Sequence, residues 1–160
     1  MSHQNQRNDL NILKNNFKKL AIMKFTRRAN ANWKGTGMEG KGTISTQSTT
    51  LDNAQLSFKT RFEQGVGTNP EELIAAAHSG CFTMQLSFLL SEAGFVPEDL
   101  DTTAKVTFED GTITLIALEL TGKVPGISEE DFQQTAQKAK EICPISKLLN
   151  TEITLSITLL

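Results

Sequence analysis

The sequence predicts an α+β fold, mostly antiparallel sheet with helices on one face. Three observations carry this. Residues 24–33 (KFTRRANANW), 41–47 (KGTISTQ) and 56–62 (LSFKTRF) alternate polar with apolar or β-branched side chains, the period of half-buried strands. Between residues 68 and 94 only Glu71, Glu72 and Glu92 are charged and apolar residues occur all round, the mark of a core helix. Beyond it come a hairpin, a second capped helix and an alternating last strand. The order is three strands, a helix, two strands, a helix and one strand.

Each element has its own local reason. Gly35, Gly37, Gly40 and Gly42 punctuate the first turn and Asp52-Asn53 signals the second, so the first three strands read as a meander. Thr68 or Asn69 caps the long helix, Pro70 suits its first turn, and Glu71 and Glu72 favour its positive end. Gly94 stops it. Ile74, Ala77, Cys81, Met84 and Phe88 form one apolar stripe along it. Asp110-Gly111 joins Val106–Phe108 to Ile113–Leu120 as a hairpin tip. Ser128 caps the second helix, with Glu129, Glu130 and Asp131 in its first turn. Phe132, Ala136, Ala139 and Cys143 follow at helical spacing, and Pro144 ends or kinks that helix. Ile153 to Leu159 alternates as a final strand.

Composition narrows the function. The chain has 160 residues, 38% apolar, with sixteen basic and eighteen acidic side chains. That suits one ordinary domain. No global field argues for nucleic acid as a partner. No run approaches the roughly 18 uncharged apolar residues of a membrane span, so no membrane partner is expected. Residues 1–22 read as a flexible extension, with Met23 as the functional beginning. Leu10, Leu13, Phe17 and Leu20 beside Lys14, Lys18 and Lys19 also allow a weak basic amphipathic helix. This N-terminus lacks a compact apolar core and a small-residue cleavage site, so a cytoplasmic location is expected.

The chemistry-bearing residues are few. Cys81 and Cys143 are the two cysteines, and His3 and His78 the two histidines. No CxxC motif is present, so a four-ligand zinc site within one chain is not expected. Taken singly, each cysteine reads as packing, since free cysteine is among the most buried residue types. Taken together, two thiols on the apolar stripes of core helices can face each other if the helices pack side by side. Such a pair is suited to peroxide or disulfide chemistry. His78, one turn before Cys81, is either a base toward that thiol or a partly buried, hydrogen-bonded histidine. Phe58, Phe62, Phe82 and Phe88 are candidates to line an apolar pocket, or simply core.

The run TRFEQGVGTNPEELIAAAHSGCFTM, residues 60–84, strongly resembles the OsmC/Ohr family of thiol-dependent hydroperoxide reductases. So do DTTAKVTF at 101–108 and AKEICPISKLLNTEITLSITL at 139–159. The resemblance spans residues 23–160, an OsmC-like peroxidase domain, and leaves residues 1–22 outside. TRFE before GTNPEE favours the osmotically inducible branch. The resemblance implies that Cys81 is the peroxidatic cysteine and Cys143 the resolving one. It implies that Arg61 binds the thiolate and that Glu71 orients Arg61. It implies an intertwined homodimer in which two long core helices are flanked by two sheets, with the active sites at the subunit interface. The expected substrate is a small hydroperoxide. No metal, haem or flavin is expected, only an external dithiol or lipoyl-type reductant.

Elementary electrostatics bears on those roles. Burial raises a thiol's pKa and makes it a poor nucleophile. A guanidinium at about 4 Å, at an effective dielectric near 20, contributes about 4 kcal/mol, or about 3 pKa units. That is enough to reverse burial, and arginine stays charged where lysine can deprotonate. In an ideal helix Glu71 lies about 15 Å from Cys81, so Glu71 would act by holding Arg61 in a bidentate pair. A first-turn glutamate serving the helix dipole is the plainer reading, and spacing barely separates Glu71 from Glu72. Two other functions stay open: a non-catalytic stress protein binding a lipid-like ligand, and a redox sensor.

Overall fold

The computed structural model describes residues 24–160. The extension and its amphipathic pattern lie outside the described residues. The chain divides into two compact units, Lys24–Ile74 and Ala75–Leu160 among the described residues, and each is taken by itself.

In the first unit, β1 (Ala29–Lys34), β2 (Lys41–Thr46) and β3 (Ala54–Ser57) form the expected antiparallel meander, in the order β1-β2-β3. The third strand is shorter than its alternation suggests. After Ser57 the chain turns into a short helix, α1 (Phe58–Phe62). The Ser57 hydroxyl accepts from the Thr60 N–H, and the Ser57 N–H donates to the Thr60 hydroxyl. This reciprocal cap outweighs the β-like spacing of LSFKTRF. Arg61 therefore sits on a helical turn, not on a strand.

The long helix, α2 (Pro70–Glu92), starts in this unit and continues into the next. Of the two candidate caps, Asn69 serves: its side-chain oxygen accepts from the Glu72 N–H at 2.8 Å. Its amide also donates to the Thr60 carbonyl, tying the start of α2 to α1. At the far end Gly94, at φ +90°, closes the helix. Its N–H donates to the Ser91 carbonyl and the Phe95 N–H to the Leu90 carbonyl, a left-handed cap that glycine adopts without steric cost.

The second unit carries β4 (Asp99–Glu109), β5 (Thr112–Lys123) and β6 (Glu152–Leu159), in that order in one sheet. β4 and β5 are antiparallel around Asp110 and Gly111, at φ +48° and +83°, as the Asp-Gly signal requires. β5 and β6 are parallel, a pairing the alternation of β6 does not announce. Parallel neighbours need a crossover, supplied by α3 (Glu129–Ile142) and α4 (Pro144–Leu148). Ser128 caps α3 by accepting from the Asp131 N–H.

The core of this unit alternates along β5 at Ile116, Leu118 and Leu120 and recurs on α3 at Phe132, Ala136 and Ala139. The Phe132 ring lies on Gly122: a Cβ there would stand 2.3 Å from the Phe132 Cζ. The buried positions of α2 are His78, Phe82, Leu86 and Leu90, each apolar one worth about 1.5–3 kcal/mol when fully covered. This corrects the expected stripe. Ile74, Cys81 and Phe88 are only half-buried, and Ala77 and Met84 are exposed, Met84 by 63%. A helix apolar on every side does not specify which side packs. The uncharged stretch of α2 also proves long and apolar enough, by length and composition, to cross a membrane. That corrects the expectation that no run approaches such a length, and core helices of soluble proteins pass the same test. Only 22% of its most apolar window is buried within the chain.

Candidate active site

Pro144 builds the thiol site. It has no N–H to continue α3, and the residue before it is pushed to extended backbone. Cys143 accordingly sits at φ −56°, ψ +124° as the junction between α3 and α4. Its N–H donates to Ala139 and its carbonyl accepts from Lys147. Because Pro144 lacks a donor, the next free N–H groups of the turn belong to Ile145 and Ser146. Each serves a different sulfur. The Ile145 N–H acts to lower the Cys81 pKa, and the Ser146 N–H to lower that of Cys143. The two thiols are neighbours that act on each other's titration, and neither is in a disulfide. The expected face-to-face pair of cysteines is present.

Their environments differ. Cys143 is fully buried, whereas Cys81 is partly exposed. Burial pushes the Cys81 thiol up; the Ile145 N–H pulls it down, but the neighbouring Cys143 raises it further. Burial also pushes Cys143 up, yet the His78 imidazole, the Ser146 N–H, Cys81 and the Ser146 hydroxyl together bring it down to about 6. Within this cluster the more acidic sulfur is Cys143.

Of the two sequence readings of His78, the buried, hydrogen-bonded histidine is the one the structure shows. It is wholly buried, and its Nε2 lies 2.8 Å from the Ser146 hydroxyl. Its Nδ1 finds no hydrogen-bond partner among the described residues. The imidazole thus serves Ser146 and Cys143, not Cys81 one turn along its own helix. Sequence reasoning missed Ser146. The available signal was a hydroxyl three residues after a cysteine, in the turn that Cys-Pro opens.

In the other unit, Arg61 and Glu71 form a bidentate pair. The Arg61 Nη2 donates to Glu71 Oε1 at 2.7 Å, and its Nε reaches both carboxylate oxygens at 3.2 Å. The Arg61 hydrogen bond holds the Glu71 carboxyl below its usual range, against a smaller opposing effect of burial. Glu72 instead accepts from the Thr68 hydroxyl, so of the two glutamates it is Glu71 that holds Arg61. Trp33, Leu56, Phe58, Arg61, Phe62 and Thr68 line a cavity of about 180 Å³. Phe58 and Phe62 meet there at a tilt of 43° with ring centroids 4.9 Å apart, and the Arg61 guanidinium lies 5.0 Å from the Phe62 ring centre. Phe82 is core and Phe88 half-buried. The four residues singled out from the sequence come together as two pairs, one in each unit. Among the described residues no group of three His, Cys, Asp or Glu side chains is placed to hold a metal ion.

A long helix on a mixed sheet, carrying one of two touching thiols, defines a dithiol protein of α+β class. The chain belongs to the OsmC-like protein family, whose sequence profile matches residues 63–158. It is 48% identical over 137 residues to Peroxiredoxin OsmC of Escherichia coli (strain K12), covering 83% of this chain and 96% of that one. It is 29% identical over 128 residues to Organic hydroperoxide resistance protein OhrA of Bacillus subtilis (strain 168), covering 76% and 89%. In fold it is similar to the crystal structure of the organic hydroperoxide resistance protein OhrB of Bacillus subtilis. That likeness has a TM-score of 0.61 and 24% identity, and covers 85% of this chain and 98% of the other.

Proposed function

We propose that this protein is a thiol peroxidase that reduces organic hydroperoxides to alcohols. The names of its relatives support a peroxidase-type role, and the touching pair of free thiols carries the reading. The Cys81 thiolate attacks the terminal peroxide oxygen. The O–O bond breaks, Cys81 becomes a sulfenic acid, and the alkoxide takes a proton and leaves as the alcohol. Cys143 sulfur then attacks Cys81 sulfur, the S–O bond breaks, and water leaves behind a disulfide. An external dithiol reduces that disulfide and is itself oxidised.

Cys81 takes the first step because it is the partly exposed thiol. Its surroundings in its own unit raise its pKa, so it requires a cation. Arg61, oriented by Glu71, has that role in this reading, stabilising the thiolate and the charge on the leaving oxygen. The apolar cavity beside Arg61 suits an alkyl chain. No bound cofactor enters the cycle, and a reducing cytoplasm suits free thiols.

The reading includes a homodimer. The exposed face of α2, with Ala77 and Met84, is the surface it would cover. Met84→Glu is expected to shift the protein from dimer to monomer in analytical ultracentrifugation, because an unpaired charge in an apolar interface costs several kcal/mol. A monomeric parent protein would refute the dimer. The cycle itself is tested by mass spectrometry after one equivalent of an organic hydroperoxide. The expected product is a chain two hydrogens lighter with Cys81 linked to Cys143. A protein that turns over peroxide without that link refutes the two-cysteine cycle.

A further inference from the structure

The peroxidase cycle uses Arg61 but not the rings beside it. Trp33 stands on β1 opposite Gly42 of β2, and its indole lies over that glycine. A Cβ at Gly42 would stand 2.6 Å from the Trp33 Cε3, and one at Gly40 would stand 2.6 Å from its Nε1. Two positions without side chains therefore make the room that the ring occupies. The Trp33 Nε1–H donates to the Thr36 carbonyl at 3.1 Å, the same oxygen that accepts from the Gly40 N–H. The indole is thus fixed by the turn of its own hairpin, although 42% of the residue is exposed. Phe62, also exposed, lines the same cavity. Exposed rings around one concavity mark a binding surface. The space is about 180 Å³, well under the roughly 300–1,000 Å³ of pockets that take drug-sized ligands. All the residues that line it lie in the first unit.

We propose that Trp33 is a specificity-determining residue of the peroxidase reaction, the wall that limits the peroxide's organic group to a compact, phenyl-sized one. The inference deepens the peroxidase reading and rests on it. A phenyl group entering beside Arg61 meets three rings, those of Trp33, Phe58 and Phe62. Aromatic pairs in offset or tilted arrangements gain more than the area they bury. A straight acyl chain gains only its burial, and a cavity this small covers only part of it. The Arg61 guanidinium lines the same cavity, so the seat of the organic group also sets where the O–O bond stands relative to the cation. Trp33 makes and breaks no bond. Its share lies in KM and in the choice among peroxides.

Trp33 is the chain's one tryptophan, and the chain has no tyrosine, so its fluorescence reports on the cavity without a label. The reduced full-length protein is titrated with cumyl alcohol, the product expected from cumene hydroperoxide, which has no peroxide bond to react. A saturable change in Trp33 emission is expected, with half-saturation raised several-fold in Phe62→Ala. Emission that stays constant, or that drifts linearly with the alcohol, overturns the proposal. The titration uses the parent, so it decides even where a Trp33 variant does not fold. Turnover is then measured with cumene hydroperoxide and with linoleic acid hydroperoxide. Trp33→Ala is expected to lower the ratio of kcat/KM for cumene over linoleic hydroperoxide about tenfold, through KM and not kcat, and Trp33→Phe to keep most of it. A parental ratio in Trp33→Ala overturns the proposal. So does an equal loss for both peroxides, which is what a merely structural tryptophan would give. If the parent reduces neither peroxide, the peroxidase reading is what fails, and the seat for a phenyl group stands or falls on the titration.

Discussion

Arg61 and Glu71 meet with side chains 37% and 16% exposed, whereas His78 and Cys143 have no exposed surface. Both are hydrogen-bonded pairings of titratable groups with another side chain, but water treats them differently. The open pair is screened by solvent and holds geometry more than it holds the fold together. The buried array cannot borrow water, so each donor and acceptor must find a protein partner. Among the described residues the one that does not is His78 Nδ1. The open pair joins a cation to a carboxylate; the buried cluster holds a thiol drawn down by its neighbours.

Breaking the thiol cluster at the sulfur proposed to react first gives the largest expected effect. Cys81→Ser should lower peroxide turnover about a thousandfold or more while circular dichroism stays parental; unchanged turnover would leave the cysteine with a packing role only. Next comes the packing that supports the cluster. Gly122→Ala pushes a methyl into the Phe132 ring at the middle of the α3–sheet contact and should cost about 1–3 kcal/mol in urea unfolding. Parental stability would mean that α3 can shift away, and with it Cys143.

On the open side, Glu71→Gln should lower turnover about tenfold by loosening the hold on Arg61, yet cost no more than about 1 kcal/mol of stability at neutral pH. The sign with pH follows from the lowered Glu71 pKa. A carboxyl depressed on folding stabilises above its unfolded value of about 4.3 and loses that contribution as pH falls through the lower folded value. The stability gap between parent and Glu71→Gln should therefore close in acid; a gap that persists there means the pair is not its source. Smallest is the response to salt. Raising ionic strength should weaken the Arg61-dependent step a few-fold and leave disulfide closure unchanged. Equal sensitivity of both steps would erase the contrast between the two sites.

Much of this was legible in the chain. Pro70, Gly94, Asp110-Gly111, Ser128 and Pro144 act within a few residues of themselves, so the element boundaries they set appear in place. The failures share a cause. LSFKTRF has strand periodicity, but a two-residue reciprocal cap at Ser57 and Thr60 turns it into helix. The stripe through Cys81 was drawn on a helix with no polar side to exclude, so pattern could not select Phe82, Leu86 and Leu90 instead.

The sequence by itself determined the α+β order, the caps and turns, the family and the two thiols, because these rest on local backbone chemistry and on a continuous motif. Only the tertiary structure decided which face of α2 is covered, that β6 lies parallel to β5, and that Glu71, not Glu72, holds Arg61. It alone joined His78 to Ser146, 68 positions later in the chain. Such choices depend on which distant groups share one small, dry volume, and no local preference encodes that.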